Sequence, residues 1–387
     1  MGEWKRVKLG EIIECFDSMR KPLSSIQRSA FQGQYRYYGA QEVIDYVDGY
    51  IFDGTYVLIA EDGENLISRK KPIAQIVSGR FWLNNHAHIF KANEKSDLRY
   101  LCYFLNSSDI TYYVTGSAQP KLSRQNLDSI ELDLPPLPTQ RRIAAVLGAL
   151  DDKIEVNRKI CENLEAQAQA LFKAWFVDFE PFGGKRPEGW KMMPVEELTE
   201  RMASGGTPKT KIEAYYDGTT KWFSTKELKD CFLFDSEKHI SKEAVENSAA
   251  KVFPRDTVLM AIYAAPTVGR LGIMDEEGTF NQAAVGMVAK KYVGYPFLFL
   301  TLLAEREGLN LMAVGSCQQN LNVGVVKSYK VLLPDEKVLS RFNESIMPMF
   351  DEIRTLSKES RALAAMRDSL LPKLMSGELA VEKVEGF

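Results

Sequence analysis

The chain contains no long hydrophobic run. Its longest apolar stretch, Tyr295 to Ala304, is too short to cross a bilayer, so no membrane-spanning helix is expected. Residues Met1 to Ile13 carry charges and lack the apolar core of a signal peptide. Cysteine is scarce: five residues lie far apart, at 15, 102, 161, 231 and 317, with no CxxC. An odd, scattered set without an export signal implies reduced thiols and a cytoplasmic location. Histidine is scarcer still. His86, His88 and His239 have no Cys or Asp/Glu partners at metal spacing, so no metal ligands are assigned. His86 and His88 would share one face of a strand, in a surface or core role.

A basic excess is also absent. Lys plus Arg number 49 against 52 Asp plus Glu, a net charge of -3. A free-standing nucleic-acid binder is usually basic, so any contact with DNA must use local charge or a partner's charge. There is no G-x-x-x-x-G-K-[ST] phosphate loop; Gly205-Gly206 instead leads into Thr207-Pro208, which reads as a turn. The Asn-Pro-Pro-aromatic or Asp-Pro-Pro-aromatic tetrad that amino-methylating enzymes use is missing. So is a spaced nuclease-type carboxylate set with a nearby lysine, and nothing marks Ser/His/Asp or Cys/His catalysis. These absences point to recognition and not to chemistry, and no catalytic residue is assigned.

What is present is a heptad seam. From Pro138 to Trp175 the apolar residues are Ile143, Leu147, Leu150, Ile154, Cys161, Leu164, Ala168, Leu171 and Trp175, in alternating steps of four and three, with Asn157 as a polar member. That is the pattern of a long helix packed on another helix. Pro135, Pro136 and Pro138 disfavour a helix before it, with Thr139 as N-cap, and Pro181, Gly183, Gly184 and Pro187 mark its end. About 36 residues at ~1.5 Å each make a rod on the order of 50 Å, longer than a core helix usually is.

A shift of 199 residues reproduces the seam near the C-terminus, with Phe342, Ile346, Met349, Ile353, Leu363, Leu370 and Leu374. Asn157 maps to Leu356, Cys161 to Ser360 and Ala168 to Arg367, so the second seam is less clean. The same shift takes Gly116-Ser117 to Gly315-Ser316, Gln119 to Gln318, Leu122 to Leu321 and Leu134-Pro135 to Leu333-Pro334. Trp4-Lys5 and Trp190-Lys191 echo each other at 186. An internal duplication follows: domain, helix, domain, helix. The expected bounds are 1–137 and 187–334 for the domains, and 138–180 and 335–380 for the helices. Pro348 lies inside the second helix and should kink or restart it; Pro372 and Gly377 mark its end.

Both domains read as α+β (mixed α/β). Tyr56–Ala60, Pro72–Val77, Ala87–Phe90, Thr257–Ile262 and Ala284–Val288 read as strands, and Asp97–Leu105 and Pro296–Ala304 as helices. Basic residues punctuate the connections: Arg20-Lys21, Arg69-Lys70-Lys71, Lys121 with Arg124, Lys209 with Lys211, and Arg270. Aromatics interleave with them (Tyr35, Tyr37, Tyr38; Tyr215, Tyr216, Trp222), which is a DNA-backbone signal when repeated in both halves.

These residues resemble a known family. Leu134-Pro-Pro-Leu-Pro-Thr-Gln140, followed by the seam through Asn163-Leu164 and by Leu171-Phe172-Lys173-Ala174-Trp175-Phe176, is similar to the central spacer helix of specificity subunits of type I restriction–modification systems. Gly205-Gly206-Thr207-Pro208, Trp222-Phe223-Ser224-Thr225, Gly315-Ser316-x-Gln318 and the C-terminal Leu370-Leu371-Pro372-Lys373-Leu374-Met375-Ser376-Gly377-Glu378-Leu379 continue the likeness. The first half departs from it, with Ser18-Met19-Arg20-Lys21-Pro22-Leu23 in place of Gly-Gly-Thr-Pro.

The resemblance implies two target-recognition domains separated by two long helices forming an antiparallel coiled coil, with a pseudo-two-fold internal repeat. The chain would be non-catalytic and would read double-stranded DNA as a split, asymmetric target. A ~50 Å rod at ~3.4 Å per base pair corresponds to roughly 15 base pairs. Partners would be two methyltransferase subunits and restriction/translocase subunits, which carry the S-adenosylmethionine, ATP and Mg; no cofactor is expected in this chain. Arg and Lys would read guanine, Asn and Gln adenine. The candidates for DNA contact are Arg20, Lys21, Gln119, Lys121, Arg124, Lys209, Lys211, Arg270, Gln318 and Asn320; the two glutamines could instead cap a following helix. A coiled-coil adaptor without DNA binding remains the alternative reading.

Overall fold

The computed structural model describes residues 4–116, 118–263, 266–312 and 320–384. The chain divides into two units, Met1–Ile154 with Ala362–Phe387, and Glu155–Arg361. Each takes part of both long helices, Leu137–Phe176 and Glu336–Met375, of 40 residues apiece.

In the first unit, β1 (Lys5–Lys8), β2 (Ile13–Cys15), β3 (Gln32–Tyr38), β4 (Val43–Val47), β5 (Phe52–Ala60), β6 (Ala74–Leu83), β7 (Ala87–Ala92) and β8 (Glu131–Leu134) form two sheets. Six strands run in the order β2-β7-β5-β6-β3-β4, and β1 pairs with β8. Val57, Ile59 and Phe90 on one sheet face join Leu101 and Leu105 of the helix Leu98–Ser107 in one core, together with Ile143 and Leu147 of the first long helix and Leu374 of the second. The other face stacks Phe52 on Phe81 at 5.3 Å, with Tyr56 edge-on to both.

The second unit uses β9 (Lys191–Pro194), β10 (Thr199–Ser204), β11 (Thr220–Phe223), β12 (Cys231–Leu233), β13 (Lys238–Ile240), β14 (Val258–Ala261), β15 (Leu271–Met274), β16 (Thr279–Phe280), β17 (Ala284–Ala289) and β18 (Lys330–Leu333). They make a five-stranded sheet β10-β17-β14-β15-β12, a three-stranded sheet β13-β11-β16, and the pair β9-β18. The helix Tyr295–Ala304 is buried nearly all round.

The repeat is visible in the frame. β1·β8 becomes β9·β18, the first strand shifted by 186 and the second by 199. The short helix Arg124–Ser129 recurs as Val323–Ser328, and the long helix recurs whole, each shifted by 199. The sheets between are not copies: six strands in one unit stand against five plus three in the other.

The long helices pair antiparallel within each unit. In the second, Phe176 meets Phe342 at 4.8 Å, the Cys161 Sγ lies 3.8 Å from the Ile353 carbonyl, and Asn157 Nδ2 donates to Glu359 Oε2 at 2.7 Å. In the first, Arg367 Nη1 sits 2.6 Å from Asp151 Oδ1. Asn157 and Arg367, two of the three polar interruptions of the seams, thus have partners on the facing helix. Ile143, Leu147, Leu150, Ile346, Ile353 and Leu356 are buried, and Ile154, Leu164, Leu171, Leu363 and Leu370 half-buried. Phe172 and Phe176 are buried more deeply than the seam members Leu171 and Trp175. A 3.6-residue turn drifts against a 3.5-residue repeat, and this end of the helix packs on Phe297 as well as on its partner helix.

Several expectations need correcting. Helix one begins at Leu137, not after a Thr139 cap: the Pro136 carbonyl accepts from Thr139 N and Gln140 N, and Pro138 fits a first turn whose N–H groups are unpaired anyway. Pro348 does not interrupt helix two, which is continuous from Glu336 to Met375. Ile346, Phe350 and Ile353 are buried on either side of it, and their packing outweighs one missing hydrogen bond. His86 precedes β7 and lies in a turn, so it does not share a strand face with His88. Of the aromatics read as interleaved with basic residues, Tyr37, Tyr38, Tyr215 and Trp222 are core residues.

Candidate nucleic-acid interface

In the first unit, a loop closed between Thr115 and Lys121 carries Gln119. Thr115 N donates to Lys121 O at 2.8 Å and Lys121 N to Thr115 O at 2.7 Å. Gly116 has φ +86, and a Cβ there would lie 2.5 Å from the Gln119 carbonyl, so only glycine makes this bend without strain. The loop is tied down to the segment leaving β5: Gly63 N donates to Pro120 O, and Leu122 N to Glu61 O at 2.8 Å. Just before it, Tyr112 is 91% exposed.

Beneath the loop lies an ion cluster. Glu61 accepts Arg20 Nη1 at 2.8 Å and faces Lys121 Nζ at 3.2 Å. Burial pushes the Glu61 carboxyl up, but Arg20, His88 and Lys121 outweigh it and hold it below its ordinary value. Arg20 also donates to the carbonyls of Ala87, at 2.7 Å, and Asp17. The structure therefore brings Arg20, Gln119 and Lys121 together, with Arg20 occupied internally, Lys121 half-extended to solvent and Gln119 exposed. Lys21 is exposed. Arg124 heads the next short helix and is paired with Asp128 at 2.7 Å. Arg69, in a left-handed conformation, donates to the carbonyls of Leu105, Asn106 and Ser108 and so caps a helix end.

In the second unit the corresponding tie is Leu321 N to Ile262 O at 2.8 Å. It fixes the residue after Asn320 to the end of β14, where Ala261 N donates to the carbonyl of half-buried Arg270 at 2.9 Å. Gln318 lies outside the described residues, as do Ser117 and Gly315-Ser316. Gly205-Gly206-Thr207-Pro208 is not a turn. Neither glycine has a positive φ; both are places where two backbones touch. A Cβ on Gly205 would sit 2.1 Å from Phe280 O, and one on Gly206 2.2 Å from the Ala249 carbonyl carbon. Trp222 Nε1 donates to Gly206 O at 2.9 Å, which joins this segment to the Trp222-Phe223 strand. The segment leads straight into exposed Lys209 and Lys211.

Each unit also has a cleft beside the long helices, at equivalent positions. In the second unit Phe299, Leu300, Phe350 and Ala168 line it; in the first, Cys102, Tyr103, Asp151 and Arg367 stand in their places. Burial pushes the Cys102 thiol up to about 12, so it is inert at neutral pH. Among the described residues no group of three or more His, Cys, Asp or Glu is placed to hold a metal ion, and no helix is long and apolar enough to cross a membrane.

The family model for the type I restriction modification DNA specificity domain matches residues 1–166 and again 187–354. The chain belongs to this family. Both matches run from a recognition domain into a long helix, so the family unit is the repeat itself. Among its relatives, the type I restriction enzyme MjaIX specificity subunit of Methanocaldococcus jannaschii is 26% identical over 83% of this chain and 79% of its own length. The HindI specificity subunit of Haemophilus influenzae is 22% identical, over 72% and 77%. The crystal structure of the S subunit of a type I restriction–modification system from M. genitalium shares the fold, with a TM-score of 0.66, 13% identity and 96% of both chains covered. A specificity subunit recognises DNA sequence within its system, and the coiled-coil adaptor reading finds no support. Sequence reasoning missed Asp17 and Glu61 and gave His88 only a surface or core role; Asp17 opens a 3-10 turn, Glu61 follows β5 and His88 lies on β7, and no spacing links them.

Proposed function

We propose that this chain reads a split, asymmetric DNA target, one short half-site per recognition domain, with the paired helices setting an unread spacer. The observation that carries the reading is a duplicated frame holding two unlike readers. β1·β8 and β9·β18 match, as do the helices, while the sheets and the loop surroundings differ. Identical readers would suit a palindrome; unlike readers suit two different half-sites. Recognition domains 1–137 and 187–334 and spacers 138–180 and 335–380 divide the work. Gln119, Lys121, Lys209, Lys211, Arg270, Gln318 and Asn320 approach bases or phosphates, with Lys21 and Arg124 on the backbone. Arg20 holds the rim from inside.

The chain itself is non-catalytic. Two methyltransferase subunits dock on the two repeats, and restriction/translocase subunits join them for cleavage; these partners bind S-adenosylmethionine, ATP and Mg. The complex works in the cytoplasm, and its partners' surfaces complete the DNA grip that a chain of net charge -3 does not make alone.

The test is to co-express the chain with its methylating subunit and map the modified adenines. Two different short motifs at one constant separation are expected. A continuous or palindromic motif would refute the reading. Affinity of the complex should fall steeply with salt, about one counterion per phosphate contact; the lone chain should bind poorly or aggregate.

A further inference from the structure

His88 is 1% exposed and lies on β7 beneath the Thr115–Lys121 loop. Its Nε2 is 2.7 Å from the carbonyl of Leu122, the residue that follows the loop. A carbonyl only accepts, so this nitrogen carries a proton. Its Nδ1 is 2.5 Å from Asp17 Oδ2, and Glu61 Oε2 lies 3.9 Å away. Facing two carboxylates, Nδ1 is protonated as well, and the ring is an imidazolium. Arg20 bridges both acids and Lys121 holds Glu61; Asp62 and His86 form a separate pair at 2.7 Å alongside.

The repeat supplies an internal comparison. Ile59 faces His88 and Ala60 faces Ala87 in β5·β7; Met260 faces Val285 and Ala261 faces Ala284 in β14·β17. Val285 thus occupies the His88 position, and Ile262 occupies that of Glu61, since each accepts from the leucine after the loop. Where the first unit has the ionic pair Glu61 and His88, the described residues of the second place Ile262 and Val285 in one apolar cluster with Leu321.

We infer that His88 is a positioning residue for DNA reading by the first domain alone: its charged ring pins the base of the Thr115–Lys121 loop to β7 and Asp17. The inference rests on the reading above that this loop faces DNA. Burial alone would push the imidazole pKa down; the bond and charge of Asp17, the Leu122 carbonyl and Glu61 outweigh it, so the pKa is raised. A histidine with a raised folded value holds its contribution below the ordinary value and loses it as pH rises through the folded one. Recognition of the first half-site therefore weakens in mild alkali, while the second half-site is unaffected.

The experiment uses the complex with the methylating subunit. It measures hydrogen exchange of residues 112–123 and binding to DNA altered in either half-site, from pH 6 to pH 9. Wild type should lose on the order of tenfold in affinity through the first half-site across this range, the scale of one charged hydrogen bond. H88Q restores a donor to Leu122 without charge; it should start weaker and show a flat pH profile. D17N, which keeps the ring, should move the pH midpoint down. Unchanged exchange and an unchanged pH profile in both variants overturn the inference. If Q119A then still abolishes reading of the first half-site, the loop's role at DNA stands and only the histidine's falls. Faster exchange with no change in half-site reading overturns the positioning role together with the placement of the loop at DNA.

Discussion

Gly205 and Gly206 have no side chain because other backbones fill the space. Adding a methyl at either leaves contacts near 2.1–2.2 Å with backbone atoms that cannot rotate away. Gly206→Ala is expected to cost about 2 kcal/mol or more, the scale of an overpacked core, read as a lower unfolding midpoint. Arg354 is a second such position. It is 6% exposed, lies 3.5 Å from Asp275 at 2% exposure, contacts Asp256, and stacks on Phe232 at 4.5 Å. Arg354→Ala leaves Asp275 buried with Lys358, at 2.9 Å, as its one ion-pair partner among the described residues. A loss of about 3 kcal/mol is expected, measured by denaturant unfolding. At the exposed rim the expectation is different. Lys209→Ala and Lys211→Ala should leave stability unchanged and each lower the salt slope of DNA binding by about 1.

At the scale of elements, the long helices combine an apolar seam with a few polar pairs. Asn157 is fully buried, donates to Glu359, and leaves its own Oδ1 without a hydrogen bond. A buried polar seam residue fixes register at a cost in stability. Asn157→Leu should therefore raise stability by about 1 kcal/mol, with a loss of pairing specificity visible as slower or heterogeneous assembly. A lowered unfolding midpoint would show that the Glu359 bond outweighs the burial of the amide. Helix two survives Pro348 for the opposite reason: a local defect of one hydrogen bond is small against the packing of Ile346, Phe350 and Ile353.

For the whole molecule, the proposed spacer role is tested through helix length. Seven residues inserted between Ile154 and Glu155, and seven between Arg361 and Ala362, preserve the heptad face. They lengthen each helix by about 10 Å, or about three base pairs of spacer. Modification mapping should show both half-sites unchanged and the gap wider by that amount. An unchanged gap would show that something other than the helices sets it.

The duplication, the seam and the strand–helix alternation were legible in the amino-acid order, because heptads and repeat offsets are one-dimensional patterns. Even the irregularities at Asn157 and Arg367 were visible, though not the acids Glu359 and Asp151 that answer them. Only the tertiary structure decided that Arg20 turns inward, that Tyr37, Tyr38, Tyr215 and Trp222 are core, and that Gly205-Gly206 is a backbone contact. It alone gathered Asp17, Glu61, His88 and Lys121, which lie up to 104 positions apart, around one loop base. The reason is physical. Periodicity records which face a residue presents, whereas the partner a charge meets depends on how separate strands pair, and that is written in no local stretch of the chain.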